Sequence, residues 1–307
     1  MRLEMIIPGD TNLDDPGTAT LTGTIQGFPN SGSDSMSEIT GQRSRYVTNP
    51  APGQYNIVIG PASDSGSDAP AGSGFGTATV STSGAVAFTM QLADGISPPF
   101  SCASSLAADG SCPFYGYLYG GKGMLLGWLV FASEDGGLAN STTVLWTKPA
   151  TGQGFYPDGF GANPSVTAAP YTVPKGTTNL FAGTEFYFSA GDNLTGTNVT
   201  IDFKPGPNKF TDRNNVAVTL NPKNGMLSGT FFLPGAHTAT HFQAIMEGSL
   251  GLGYYSSGRE THPISLGADA VDSGPIFNYP PPPPGLGGEP SGSGSGSGSH
   301  GSPGGGE

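Results

Sequence analysis

Apolar and polar residues alternate along most of this chain. From Thr77 to Leu92 the sequence TATVSTSGAVAFTMQL sets apolar residues at every second position on either side of a polar turn ending at Gly84. From Val216 to Leu233, VAVTLNPKNGMLSGTFFL does the same around Asn224-Gly225. A period of two belongs to the strand, and a short Gly-containing interval between two such runs belongs to a β-hairpin. Each hairpin is followed by a Gly-spaced apolar segment, FYGYLYGGKGMLLGWLVF after the first and FQAIMEGSLGLGYY after the second. The pattern predicts two related halves, about 49–170 and 171–272, each a meander of hairpins.

Alternation predicts strands at Leu3–Ile7, Thr20–Gln26, Gln54–Ile59, Thr77–Val80, Ala85–Leu92, Gly116–Leu118, Gly123–Phe131, Ser141–Thr147, Leu180–Phe188, Val199–Phe203, Val216–Leu220, Met226–Phe232, His241–Met246, Gly251–Ser256 and Ile264–Leu266. No segment carries the pattern of a three-turn helix; the stretches around Leu106 and Ala270 hold a single turn at most. The fold class expected is all-β and mostly antiparallel, forming a barrel or two packed sheets. Closure removes the open edges that a sheet poor in charge would present to other chains.

A short phrase recurs in three strands: Leu21-Thr22-Gly23-Thr24, Leu194-Thr195-Gly196-Thr197 and Leu227-Ser228-Gly229-Thr230. Glycine inside a strand predicts a bulge or a sharp bend. A bulge or sharp bend at Gly23, Gly196 and Gly229, of the kind that lets a sheet curl toward closure, is the expectation.

Composition divides the chain further. Residues 1–48 read as the end of a preceding β unit or an N-terminal β extension. Pro50 and Pro52 separate them from a β-rich module at 49–272. Beyond it, 273–307 contains Pro280 to Pro284 and a Gly/Ser run with almost nothing to bury, the composition of a disordered tail. The apolar run in MRLEMIIPGD is short and broken by Glu4, unlike a signal peptide, so an exported protein would here be represented by a fragment.

Charge narrows the partners. Only 11% of residues are charged, against roughly 25% in an average soluble domain. The net charge of −12 works against nucleic acid, whose binding needs Lys and Arg to replace condensed counterions. No stretch approaches the ~20 apolar residues of a membrane helix, so no membrane insertion is expected.

Candidate chemistry is sparse. His237 and His241 flank a turn entering a strand; on a strand these positions lie ~13 Å apart, too far for one metal ion. Asp64 and Asp68 sit in DSGSD, which lacks the spacing of a calcium loop, as does the group Asp10, Asp14 and Asp15. The GGKG at Gly120 to Gly123 precedes a strand, so no helix N-terminus is there to hold phosphate. Glu134, Asp135, Glu185, Glu247 and Glu260 are available as acids, but nothing pairs them as glycoside hydrolysis requires. No catalytic residue, metal or cofactor is therefore expected.

The aromatic residues remain. Tyr115, Tyr117, Trp128 and Trp146 cluster in the first half and are the candidate ligand-binding residues, because amphipathic rings on a sheet face can stack on sugars. The alternative use of such rings is to fill the core. Cys102 and Cys112, the two cysteines of the chain, flank nine residues that include a turn at Ala107-Ala108-Asp109-Gly110. A disulfide between them would stabilise the fold by roughly 2–3 kcal/mol; unpaired thiols are the other reading.

Several phrases in order, NPAPGQYNIVI, APAGSGFGTATVSTSGAVAFTMQLADG, CPFYGYLYGGKGMLLGWLVF, VLWTKPA, GFYPDGF and LNPKNGMLSGTFFLPG, span about 49–267. In these the chain resembles an uncharacterised β-rich module near the ends of large secreted or cell-surface bacterial proteins, often with immunoglobulin-like or other β repeats upstream. The resemblance carries no catalytic motif. It implies an extracellular or cell-surface location, a non-enzymatic structural or adhesive role, and polysaccharide or other surface proteins as partners, with carbohydrate binding through the aromatic residues as the alternative. Cys112 departs from it, since an aromatic residue usually stands there, which makes the Cys102–Cys112 bridge a local addition.

Overall fold

The computed structural model describes residues 20–26, 36–42, 52–62, 68–95, 99–107, 110–131, 142–173, 186–192, 197–203, 209–211 and 216–267. The strand expected at Leu3–Ile7, the glycine at 196 and the tail from 273 lie outside them. Strands β1 (Thr20–Gln26) and β2 (Met36–Gln42) pair antiparallel as a two-stranded sheet.

The first large sheet takes residues 53–170. Its strands are β3 (Gly53–Ile59), β4 (Gly74–Val80), β5 (Ala85–Gln91), β6 (Phe100–Ser105), β7 (Ser111–Leu118), β8 (Gly123–Val130), β9 (Thr142–Lys148), β10 (Phe160–Ala162) and β11 (Ser165–Pro170). They run in the order β6-β5-β4-β3-β11-β9-β8-β7, with β10 added beside β9. Every pair is antiparallel. The sheet curls into a nearly closed barrel. Period two sets its interior: Val86, Phe88 and Met90 of β5 and Cys112, Phe114 and Leu118 of β7 are all buried. The rings of Phe88 and Phe114 meet edge-on at 5.0 Å, so side chains fill the barrel across its width.

β6 and β7 are the two ends of this sheet, and they meet at a seam. The Ala107 N–H donates to the Ser111 carbonyl at 2.7 Å where the chain turns between them. The Phe100 ring of β6 lies over Gly116 of β7, so close that a methyl group on Gly116 would come within 2.6 Å of it. Side-chain packing, not a backbone ladder, holds this seam.

The second large sheet takes residues 186–267: β12 (Phe186–Asp192), β13 (Thr197–Phe203), β14 (Lys209–Thr211), β15 (Ala217–Asn221), β16 (Met226–Phe231), β17 (Thr240–Glu247), β18 (Leu250–Ser257) and β19 (Glu260–Gly267). Its order, β13-β12-β19-β18-β17-β16-β15-β14, makes an open half-barrel. Gly225, with φ of +71°, closes the β15–β16 hairpin, and its N–H donates to the Asn221 carbonyl at 2.9 Å.

At Gly23 and Gly229 the expected bulges are absent. Gly23 faces Ile39 and Gly229 faces Phe242 in unbroken ladders. A side chain at Gly229 would collide with the Phe242 ring and the Ala217 carbonyl. Glycine serves there as clearance for a ring lying on the backbone, the other meaning of a strand glycine.

The sheets pack together where β3 and β4 meet β17 and β18. Val58, Phe75, Ala93, Ile245 and Tyr254 form the shared apolar layer. Asn56 Nδ2 donates to the Met246 carbonyl at 2.8 Å, and Ser73 N–H to the Gly253 carbonyl at 3.1 Å. Burial on both faces explains why β3 and β17 read as the continuous runs YNIVI and AIM.

At the end of β17, burial pushes the Glu247 carboxyl above its ordinary value. A raised acid contributes stability below the usual carboxylate range and loses it as pH rises through the folded-state value. Glu247→Gln should therefore raise the melting temperature at neutral pH, with the gap to wild type closing on acidification; thermal melts across pH test this.

Candidate functional site

Three strands of the barrel turn one row of side chains outward. In β7 these are Pro113, Tyr115 and Tyr117, alternating with the buried Cys112, Phe114, Gly116 and Leu118. Register aligns them with β8, Pro113 opposite Trp128, Tyr115 opposite Leu126 and Tyr117 opposite Met124. The row continues into β9, where Leu126 faces Leu145 and Met124 faces Thr147. Tyr117 is 69% exposed, Trp128 48%, Tyr115 45%, Leu126 42% and Leu145 37%. The rings of Tyr115 and Tyr117 stand 5.4 Å apart at 74°. No Asp, Glu, Lys or Arg stands in this row. Contiguous exposed apolar surface of this kind marks sites of interaction.

Trp146, the fourth aromatic expected there, is elsewhere. It is opposite Leu125 on the inward row of β9 and fully buried. Its Nε1 donates to the Tyr119 hydroxyl at 3.0 Å, and Phe160 meets its ring edge-on at 4.9 Å. The run TTVLWTK has apolar residues on both rows, so alternation alone does not say which row faces in. Pairing with β8 decides it.

Trp146 belongs to a buried polar cluster at one end of the barrel. The Tyr119 hydroxyl donates to Asp94 Oδ2 at 2.6 Å. Lys148 Nζ is 3.5 Å from the same oxygen, with side-chain exposures of 4% for Lys148 and 0% for Asp94. Nζ also lies 4.3 Å from the centre of the Tyr119 ring. Burial, with the Asp94 charge and hydrogen bond adding to it, pushes the Tyr119 hydroxyl far above its ordinary value and keeps it protonated. Beside the cluster, Tyr156 and Thr261 place their hydroxyls 2.8 Å apart, and the Thr261 hydroxyl donates to the Ala93 carbonyl. Tyr119 and Tyr156 are the two non-glycine residues with left-handed backbone among the described residues, at φ of +53° and +48°. Strain of this sort persists only where the surroundings over-determine it.

Sequence reasoning missed Asp94 and Lys148. A usable signal existed in the inward row Val144, Trp146, Lys148, which carries a lysine on a buried stripe of a chain poor in charge.

Cys102 and Cys112 carry separate thiols. The expected bridge is not formed. Cys102 sits on β6 opposite Phe88, while Cys112, on β7, is buried and turns its Sγ toward the Pro113 carbonyl at 3.7 Å. Burial is the main cause that pushes both thiols up to about 11, which keeps them protonated and slow to react at neutral pH.

Two other concavities lie among the described residues. One of about 190 Å³ is lined by Asp68, Tyr156, Asp158, Arg259 and Glu260. Another of about 440 Å³ lies where Gln91 and Gly95 face Thr240, His241 and Tyr254. His237 and His241 are both exposed. No helix among the described residues is long and apolar enough to cross a membrane. No family model matches the chain, and no curated protein or solved structure matches it significantly.

Removing the Tyr119 hydroxyl takes a hydrogen bond from Asp94 Oδ2, which keeps Lys148, and removes the acceptor of Trp146 Nε1 in a dry site. Tyr119→Phe should destabilise the chain by about 1–3 kcal/mol in urea denaturation, the cost of unsatisfied buried polar groups.

Proposed function

We propose that this chain is a non-enzymatic structural or adhesive module of an exported bacterial surface protein, and that the outward row of β7, β8 and β9 is its contact surface. One observation carries the reading: an uncharged aromatic and aliphatic face stands exposed on a chain of net charge −12. Such a face adheres by area and ring contact, without steering by charge. The low charge, the order of sequence phrases and the Pro/Gly/Ser-rich composition of 273–307 support export and display on a surface.

Carbohydrate binding is the second reading, favoured by the rings of Tyr115, Tyr117 and Trp128 on one face. Flat rings of this kind supply stacking surfaces for sugars, whereas the buried Trp146 cannot take part without unfolding the barrel end. Both readings place affinity in the same row of side chains.

The test uses the full chain and the variants Tyr117→Ser and Trp128→Ser. Each should lower binding to immobilised polysaccharides or surface proteins at least tenfold while leaving the melting temperature within about 2 °C, since exposed positions contribute little to stability. Quenching by a polysaccharide should come from Trp128 and vanish in Trp128→Ser. Binding untouched by both variants, or a hydrolytic activity abolished by changing a single acidic residue, would contradict the proposal.

A further inference from the structure

We propose that Lys148 and Asp94 condense to a side-chain amide, a covalent cross-link inside the barrel. The pair is enclosed, with side-chain exposures of 4% and 0% and Nζ 3.5 Å from Oδ2. An ion pair so placed gives up most of the hydration each ion has in water. Amide formation would remove both charges at once, and the amine and the carboxyl held here are its two partners. The barrel holds them in contact from separate strands, since Asp94 follows β5 and Lys148 ends β9. Their encounter is therefore already made, which removes most of the entropic barrier of a bimolecular reaction.

Tyr119 is placed to assist. Its hydroxyl donates to Oδ2 at 2.6 Å, its ring covers Nζ at 4.3 Å, and Trp146 Nε1 fixes the hydroxyl at 3.0 Å. A donor on Oδ2 polarises the carboxyl carbon and supplies the proton that the departing oxygen needs. The step balances without an oxidant or added co-reactant. The Nζ–Cγ bond forms and the Cγ–Oδ2 bond breaks. Two of the three ammonium protons leave with Oδ2 as water, one of them relayed through the Tyr119 hydroxyl, and the third stays on the amide nitrogen.

The product would close a covalent ring from 94 to 148. That ring contains β6, β7, β8 and β9, hence the seam where the barrel lacks a backbone ladder and the strands bearing Tyr115, Tyr117 and Trp128. The cross-link would hold that part of the barrel closed under load.

Denaturing mass spectrometry of the purified full chain tests this. The wild type should be lighter than its sequence by one water, and its protease digest should contain the Asp94 and Lys148 peptides joined by an amide. Lys148→Arg and Asp94→Ala should show their full sequence masses, and Tyr119→Phe should convert only in part. Asp94 precedes Gly95, a pair that can lose water by backbone cyclisation alone. A water loss that survives in Lys148→Arg, or a wild type of full mass with no joined peptide, would overturn the proposal. The wild-type peptide map decides even if a variant misfolds.

Discussion

A carboxylate with no exposure to water has to be answered by donors, and those around Asp94 come from different parts of the chain. Tyr119 brings its hydroxyl from the turn after β7, and Lys148 its amine from the last position of β9. Trp146 fixes Tyr119 in turn. A partly satisfied network in so dry a place would cost more than an apolar filling. The three segments therefore have to arrive together, and the left-handed backbone of Tyr119 is tolerated because its neighbours demand it. The preceding residue, Ala93, accepts a hydrogen bond from Thr261 of β19, so the same corner ties the barrel to the second sheet.

That inward commitment determines what faces outward. With Phe114, Leu125 and Trp146 filling the interior, the alternate residues Tyr115, Leu126 and Leu145 can only stand on the surface. The exposed face is the other side of a tightly specified core.

Period two made the all-β class legible, and it located most strands. It missed β2 (MSEITGQ), then β6 (FSCASS) and β11 (SVTAAP), whose small residues bury surface without a strong alternation, and the three-residue β10 and β14. The strand expected at Gly116–Leu118 covers only the end of β7, so the outward placement of Tyr115 and Tyr117 came with the full span of that strand. Trp146 was not assignable in the same way, since β9 has apolar side chains on both rows. Lys148 stood out on its inward row, but its pairing with Asp94 was invisible, because contact between residues that far apart in sequence is made by the curl of the sheet, which no local pattern encodes. The glycine of Leu-Ser/Thr-Gly-Thr was legible as special, but the reason at Gly229 is a ring from the neighbouring strand.

The central claim is that the cluster around Asp94 keeps the barrel closed along the β6–β7 seam. Hydrogen–deuterium exchange comparing wild type with Asp94→Ala addresses it directly. Loss of protection concentrated in β6 and β7, with β15 to β19 still protected, is the result the account predicts. Unchanged protection at β6 and β7, or an equal loss in both sheets, would contradict it.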